Sequence, residues 1–155
     1  MRLGSSSDRF ADLQAVTDQR RNPAGGPHFL LSAEAMFSAA HTLPGVPMCE
    51  RMHGHNWRVR VTVRVAQTNV DAVGMAVDFR VIERAARDAV ADFEHAHLNE
   101  LEPFQERPPT AERVAQVVCG RVTRRLADIA PSATVEEVEV WELPQYRVSY
   151  RPGPI

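Results

Sequence analysis

Three histidines and one cysteine carry the chemistry most easily read from this chain: His41, Cys49, His53 and His55. His53-Gly54-His55 opens a run in which Trp57, Val59, Val61, Val63 and Val65 alternate with Arg58, Arg60, Thr62 and Arg64. Period two is that of a half-buried strand, and it puts both imidazoles on the side of Trp57 and the valines. His41 ends the stretch that begins at Phe29, on the parity of Phe37 and Ala39. A hairpin from that stretch into the next brings its ring beside the other two. Three neutral imidazoles suit zinc and leave a fourth position open for water or substrate. His53 and His55 alone are as readily surface or core residues as ligands; His41 and Cys49 favour a metal site.

Cys49 stands four residues before His53, in a loop, and two roles are open to it. It is either a fourth ligand, which makes the site closed and structural, or a base facing an open site. A thiol near a metal or a charged imidazole is acidified from its free value of about 8.5, which supplies thiolate near neutrality. Cys119, within the apolar part of a predicted helix, reads as a small buried hydrophobe. Glu94 and His95 are adjacent, which helps the imidazole only if the fold brings the side chains together. On their own, His95 and His97 read as solvated helix-end residues, favoured there by the helix dipole. Glu142 keeps the parity of Val138 and Val140 and so points toward the buried side. A carboxylate there needs partners, either an arginine of this chain or the paired N–H donors of a ligand's amidine-like edge.

The elements that must position these residues follow from periodicity. Asp78 is a predicted N-cap for a helix to about Phe93, with Ile82, Ala85, Ala86, Ala89 and Val90 inward. Pro108-Pro109-Thr110 announces a second, capped by Thr110, with Val114, Val117, Val118, Val122 and Leu126 as its buried stripe. Alternation returns at Val138 and Val140 and, after Pro144, at Tyr146, Val148 and Tyr150. Strand, strand, helix, helix, strand, strand fits an α+β domain with two helices on one face of a four-stranded antiparallel sheet. Its two edges call for cover or for pairing with another copy. The 155 residues suffice for one domain, expected over 27–155 after a loosely ordered extension over 1–26. A net charge of −2 gives no global attraction for nucleic acid or an anionic membrane, and two cysteines suit a reducing cytosol.

Taken in order, Phe37-Ser38-Ala39-Ala40-His41, Cys49 through His53-Gly54-His55-Asn56, Val77-Asp78-Phe79, Glu94-His95 to Leu98-Asn99, Pro109-Thr110-Ala111-Glu112 and Glu142 resemble the successive blocks of a known family. It is the 6-pyruvoyltetrahydropterin and 6-carboxytetrahydropterin synthase family, and the resemblance runs from about Phe29 to Tyr150. It implies a tunnelling fold, in which subunits join their sheets into a barrel and two trimers stack into a hexamer. It also implies zinc on His41, His53 and His55, Cys49 as proton acceptor, and a relay through His95 and Glu142. By the same resemblance Glu94 would back His95, Glu142 would anchor the pterin ring, and Thr110 would contact substrate. Three residues between Cys49 and His53 resemble the carboxy-forming branch. That branch implies conversion of 7,8-dihydroneopterin triphosphate to 6-carboxy-5,6,7,8-tetrahydropterin, with acetaldehyde and triphosphate released, toward queuosine-type deazapurines.

Two departures stand out. Glu94 occupies a place where the family usually has Asp, and its extra methylene puts the support of His95 in question. Glu50, directly after Cys49, resembles a branch that uses a glutamate there to release a hydroxymethyl pterin for folate synthesis. The alternatives are therefore a pyruvoyl- or hydroxymethyl-forming enzyme, or a non-catalytic zinc- or pterin-binding oligomer whose site Cys49 closes.

Overall fold

The long alternating runs pair with each other. In the computed structural model, which describes residues 26–153, β1 (His28–His41) and β2 (His53–Ala66) form an antiparallel hairpin. Its register sets Phe37 opposite Trp57, Ala39 opposite His55 and His41 opposite His53. β3 (Ala133–Leu143) and β4 (Tyr146–Tyr150) complete a four-stranded antiparallel sheet in the order β1-β2-β3-β4. α1 (Phe79–Val90) packs on β1 and α2 (Ala111–Ile129) on β3. The expected α+β architecture is the one observed, while the expected extension over 1–26 lies, but for Gly26, outside the described residues.

The core lies between sheet and helices. Trp57, Val59, Val61, Val63 and Val65 meet Ile82, Ala86, Val114, Val118 and Val122 there, all of them shielded from solvent. Both predicted caps form: Asp78 Oδ1 accepts the Arg80 N–H at 2.9 Å, and Thr110 Oγ1 accepts that of Arg113 at 3.2 Å. Val117, expected in the buried stripe of α2, is only partly covered. α1 stops at Val90 rather than Phe93, and a 3-10 turn, Ala91–Phe93, follows. Arg121 takes the freed Ala89 carbonyl at 2.8 Å, and the tighter turn delivers Phe93 to Phe37, edge on, at 5.3 Å. Ile82→Ala opens this core where neighbours cannot collapse, so we expect a loss of about 2–5 kcal/mol in urea unfolding.

β3 departs twice from simple alternation. Its pairing with β2 slips one residue between Thr62 and Val63, so Val135 and Val138, three apart, are both buried. Its pairing with β4 skips Glu142, because Trp141 faces Arg147 while Leu143 faces Tyr146. This second irregularity frees Glu142 from the ladder. On the face away from the helices, Glu139 is nearly buried between Arg147 (2.8 Å) and Arg60 (3.4 Å), and Arg58 lies 4.0 Å over the Trp141 ring. Sequence alternation gave no sign of this carboxylate, because its cover comes from arginine side chains rather than from the core.

Candidate active site

The hairpin register alone brings the histidines together. Ring centroids lie 4.5 Å apart for His41 and His53, 5.0 Å for His53 and His55, and 5.3 Å for His41 and His55. Trp57 floors the group, edge on to His41 and His55. One nitrogen from each ring lies within 4.8 Å of the other two, and among the described residues neither Cys49 nor Glu142 joins that mutually adjacent set. His41 Nδ1 lies 2.9 Å from the Pro109 carbonyl and His53 Nδ1 2.7 Å from that of Arg51. A carbonyl only accepts, so both Nδ1 atoms carry the proton and each Nε2 keeps its lone pair.

Glu142 decides what those lone pairs are for. Its Oε1 is 3.1 Å from His41 Nε2 and 3.6 Å from His55 Nε2, yet both buried nitrogens lack a hydrogen bond. Buried ring nitrogens with no donor facing them call for a cation beside them. Three neutral imidazoles, two of them with Nδ1–H groups oriented by carbonyls, fit zinc well, and they leave one position open. The expectation of an inward Glu142 holds, and its partners are imidazoles rather than an arginine of this chain.

Burial penalises the charged ring of His55 and lowers its pKa from the ordinary 6.5; Glu142 opposes this, while His41 and His53 deepen it. With no metal present, a proton on His41 Nε2 makes that contact a hydrogen bond, which pulls Glu142 below its ordinary 4.5 against the cost of burial, and the charges of His41, His55 and His53 add to the fall. Both shifts are depressions, so the folded metal-free protein binds fewer protons than the unfolded chain. Its stability is complete above about pH 6.5, falls as pH drops through the folded value of His55, and falls further below about pH 4.5 as Glu142 titrates. In metal-free protein the thermal midpoint should therefore drop between about pH 7 and about pH 5, and His55→Asn should remove most of that drop. An unchanged slope in the variant would contradict the assignment.

The other expected residues fall into two places. Cys49 is half-buried, in the loop between β1 and β2. His95 is 82% exposed, and its N–H bonds the Ser38 carbonyl at 2.7 Å. Glu94 contacts both partners: Oε2 accepts the Ser38 N–H at 3.0 Å, and Oε1 lies 3.2 Å from His95 Nε2. The longer side chain thus keeps the acid–imidazole contact that the sequence left in question. His95 borders a surface concavity of about 410 Å³ with Ser38, Ala40, Gly54 and Asn56, and His55 of the histidine cluster lines it too. His95 and Met48 are the non-glycine residues with positive φ, 57° and 73°, among those described. Such conformations cost roughly 1–3 kcal/mol and concentrate at functional sites.

His97 is less solvated than expected. It bridges to Ala40 beside β1, and its Nε2 is buried. The Thr110 hydroxyl is engaged as the α2 cap, directly after the carbonyl that orients His41. Cys119 is buried, its thiol pushed up by desolvation against a hydrogen bond with Thr123, as suits an inert core residue. Asn99, to which sequence spacing assigns no role of its own, clamps Thr42 with its side chain, accepting the N–H and donating to the carbonyl, both at 2.9 Å. It thereby fixes the residue after His41.

Comparison with known proteins agrees with this geometry. The family model described as 6-pyruvoyl tetrahydropterin synthase matches residues 30–153. The 6-carboxy-5,6,7,8-tetrahydropterin synthase of Bacillus subtilis is 32% identical over 146 residues, covering 90% of this chain and 94% of that protein. The protein of the same name from Synechocystis is 33% identical over 98 residues, 61% of this chain and 74% of that one. In fold, the 6-pyruvoyl tetrahydropterin synthase of Caenorhabditis elegans superposes with a TM-score of 0.71 at 23% identity, over 82% of this chain and 97% of that one. With most of its length matched, the chain belongs to the 6-pyruvoyl tetrahydropterin synthase family, has its tunnelling fold, and is a lyase of that family.

Proposed function

We propose that the protein is a zinc-dependent, cytoplasmic lyase converting 7,8-dihydroneopterin triphosphate to 6-carboxy-5,6,7,8-tetrahydropterin, releasing acetaldehyde and triphosphate, on the route to queuosine-type deazapurines. The observation that carries this is the cluster of ring nitrogens of His41, His53 and His55, one from each within 4.8 Å of the others, beside the carboxylate of Glu142. The names of the Bacillus and Synechocystis relatives and the three-residue step from Cys49 to His53 favour the carboxy branch. Zinc held by the three histidines would supply Lewis-acid stabilisation of developing oxygen charge. The pterin's amidine-like edge presents paired N–H donors that Glu142, held ionised, accepts, which sets the side chain in register. Cys49 removes and returns a proton on that side chain. His95, steadied by Glu94, serves the second transfer, and Thr110 borders the substrate.

His95 is exposed and stands outside the mutually adjacent histidine set, and in this reading it works in the site of a neighbouring copy. The proposed assembly is a hexamer of two stacked trimers, which also pairs the free edges of β1 and β4. Incubating zinc-loaded protein with 7,8-dihydroneopterin triphosphate should yield acetaldehyde and a carboxy product by mass. A pyruvoyl or hydroxymethyl product would keep the site and change the branch, and no turnover would refute the lyase reading. Light scattering should give a hexamer; a monomer would contradict a shared site.

A further inference from the structure

Glu50 adjoins Cys49, and its carboxylate has two conceivable uses: to take a proton from substrate, or to hold the loop that carries the thiol. Its contacts distinguish them. Glu50 Oε1 accepts the backbone N–H of Gly45 at 3.1 Å, which turns it back across the loop. The same loop is closed at its neck by the Leu43 N–H on the Cys49 carbonyl at 2.8 Å. Inside it, the N–H groups of Cys49 and Glu50 both meet the Val46 carbonyl, at 3.0 and 3.1 Å. Gly45, at φ +81°, makes the reversal that presents its N–H to the carboxylate, a backbone state open to glycine at little cost. Met48 has no such freedom and still holds φ 73°, so the surrounding bonds over-determine the turn immediately before the thiol.

Both ends of this loop are tied to zinc-ligand histidines. Thr42, clamped by Asn99, follows His41, and the Arg51 carbonyl receives the Nδ1–H of His53. Among the described residues, the one element of the loop's closure that belongs to a side chain within it is the Glu50–Gly45 bond. We propose that Glu50 is a positioning residue that fixes the Cys49 loop, and that it does not itself accept a substrate proton. This rests on the reading of Cys49 as the group that does.

The test separates hydrogen bond from charge and loop from chemistry. Alkylation of Cys49 by iodoacetamide is followed by peptide mass at one pH, beside turnover, in wild type, Glu50→Ala and Glu50→Gln. Glutamine keeps the acceptor and loses the charge. In Glu50→Ala the freed loop should alkylate about three- to tenfold faster, the ratio set by one net hydrogen bond, with kcat lowered by a similar factor and KM little changed. Glu50→Gln should restore both toward wild type. If Glu50→Gln alkylates as fast as Glu50→Ala, the carboxylate acts by its charge and the proposal fails. If both variants lose turnover equally, Glu50 accepts a proton and the proposal fails, as it does if Glu50→Ala alters neither rate. Faster alkylation in Glu50→Ala, reversed in Glu50→Gln while turnover is untouched in both, keeps the positioning role and refutes instead the role of Cys49. Glu50 is exposed and outside the core, and should Glu50→Ala precipitate, Glu50→Asp shortens the arm by one methylene and takes its place.

Discussion

His53→Ala should leave a folded protein that no longer retains zinc and turns over at least about a thousandfold more slowly. Lewis-acid stabilisation is worth several kcal/mol, and each 1.36 kcal/mol is about a factor of ten in rate. Losing a ligand should also weaken metal binding by more than the roughly 10–100-fold that loss of an outer partner costs. His53 is the informative choice because it is only partly buried and its ring bonds the local Arg51 carbonyl. Its truncation therefore removes a donor without opening the core. His41→Ala would confuse the result, since that ring is fully buried and its loss orphans the Pro109 carbonyl at the mouth of α2. Zinc per protomer after dialysis, set beside the thermal midpoint of the metal-free forms, measures the effect. Full zinc retention in His53→Ala would place the metal elsewhere.

How much of this was legible beforehand depends on what each residue's position rests on. The β2 valines and the histidines share one period, and the hairpin that makes His41 and His53 direct partners then brings the three rings together, so spacing named the candidates and the register joined them. The helix caps were equally plain, because Asp78 and Thr110 act on backbone groups within three residues of themselves. Glu142 was given the right side for an incomplete reason. Its parity with Val138 and Val140 held, but its freedom to turn toward His41 comes from the missed pairing with β4, and alternation carries no record of a bulge. The clamp of Asn99 on Thr42 and the hold of Glu94 on Ser38 span more than fifty residues, and no local pattern announces a contact of that reach. Glu50 shows the opposite limit. Its neighbour in sequence is the thiol, but its bond is to Gly45, and only the loop's path reveals that.

Cys49→Ala should lower turnover by about 10²- to 10⁴-fold, the range that a positioned proton-transfer group contributes, and leave zinc content unchanged. The two measurements together decide between the roles open to this thiol. The cluster of mutually adjacent donor atoms is complete with three imidazole nitrogens and does not include the Cys49 sulfur, so a metal there is held without it. A structural site closed by sulfur would behave oppositely, with Cys49→Ala shedding zinc and Cys49→Ser doing nearly the same, because a neutral hydroxyl is a poor substitute for thiolate. Stability should barely change in either variant, since Cys49 sits in a half-open loop outside the core and its backbone bonds to Leu43 and Val46 are untouched by side-chain truncation. Zinc retained with turnover lost makes Cys49 a reacting group at an open metal site. Zinc retained with turnover intact removes it from the mechanism and leaves the proton to His95 or Glu142. The serine variant then grades the chemistry, because a hydroxyl of nearly the same shape, far less acidic than a thiol, should recover geometry without recovering rate.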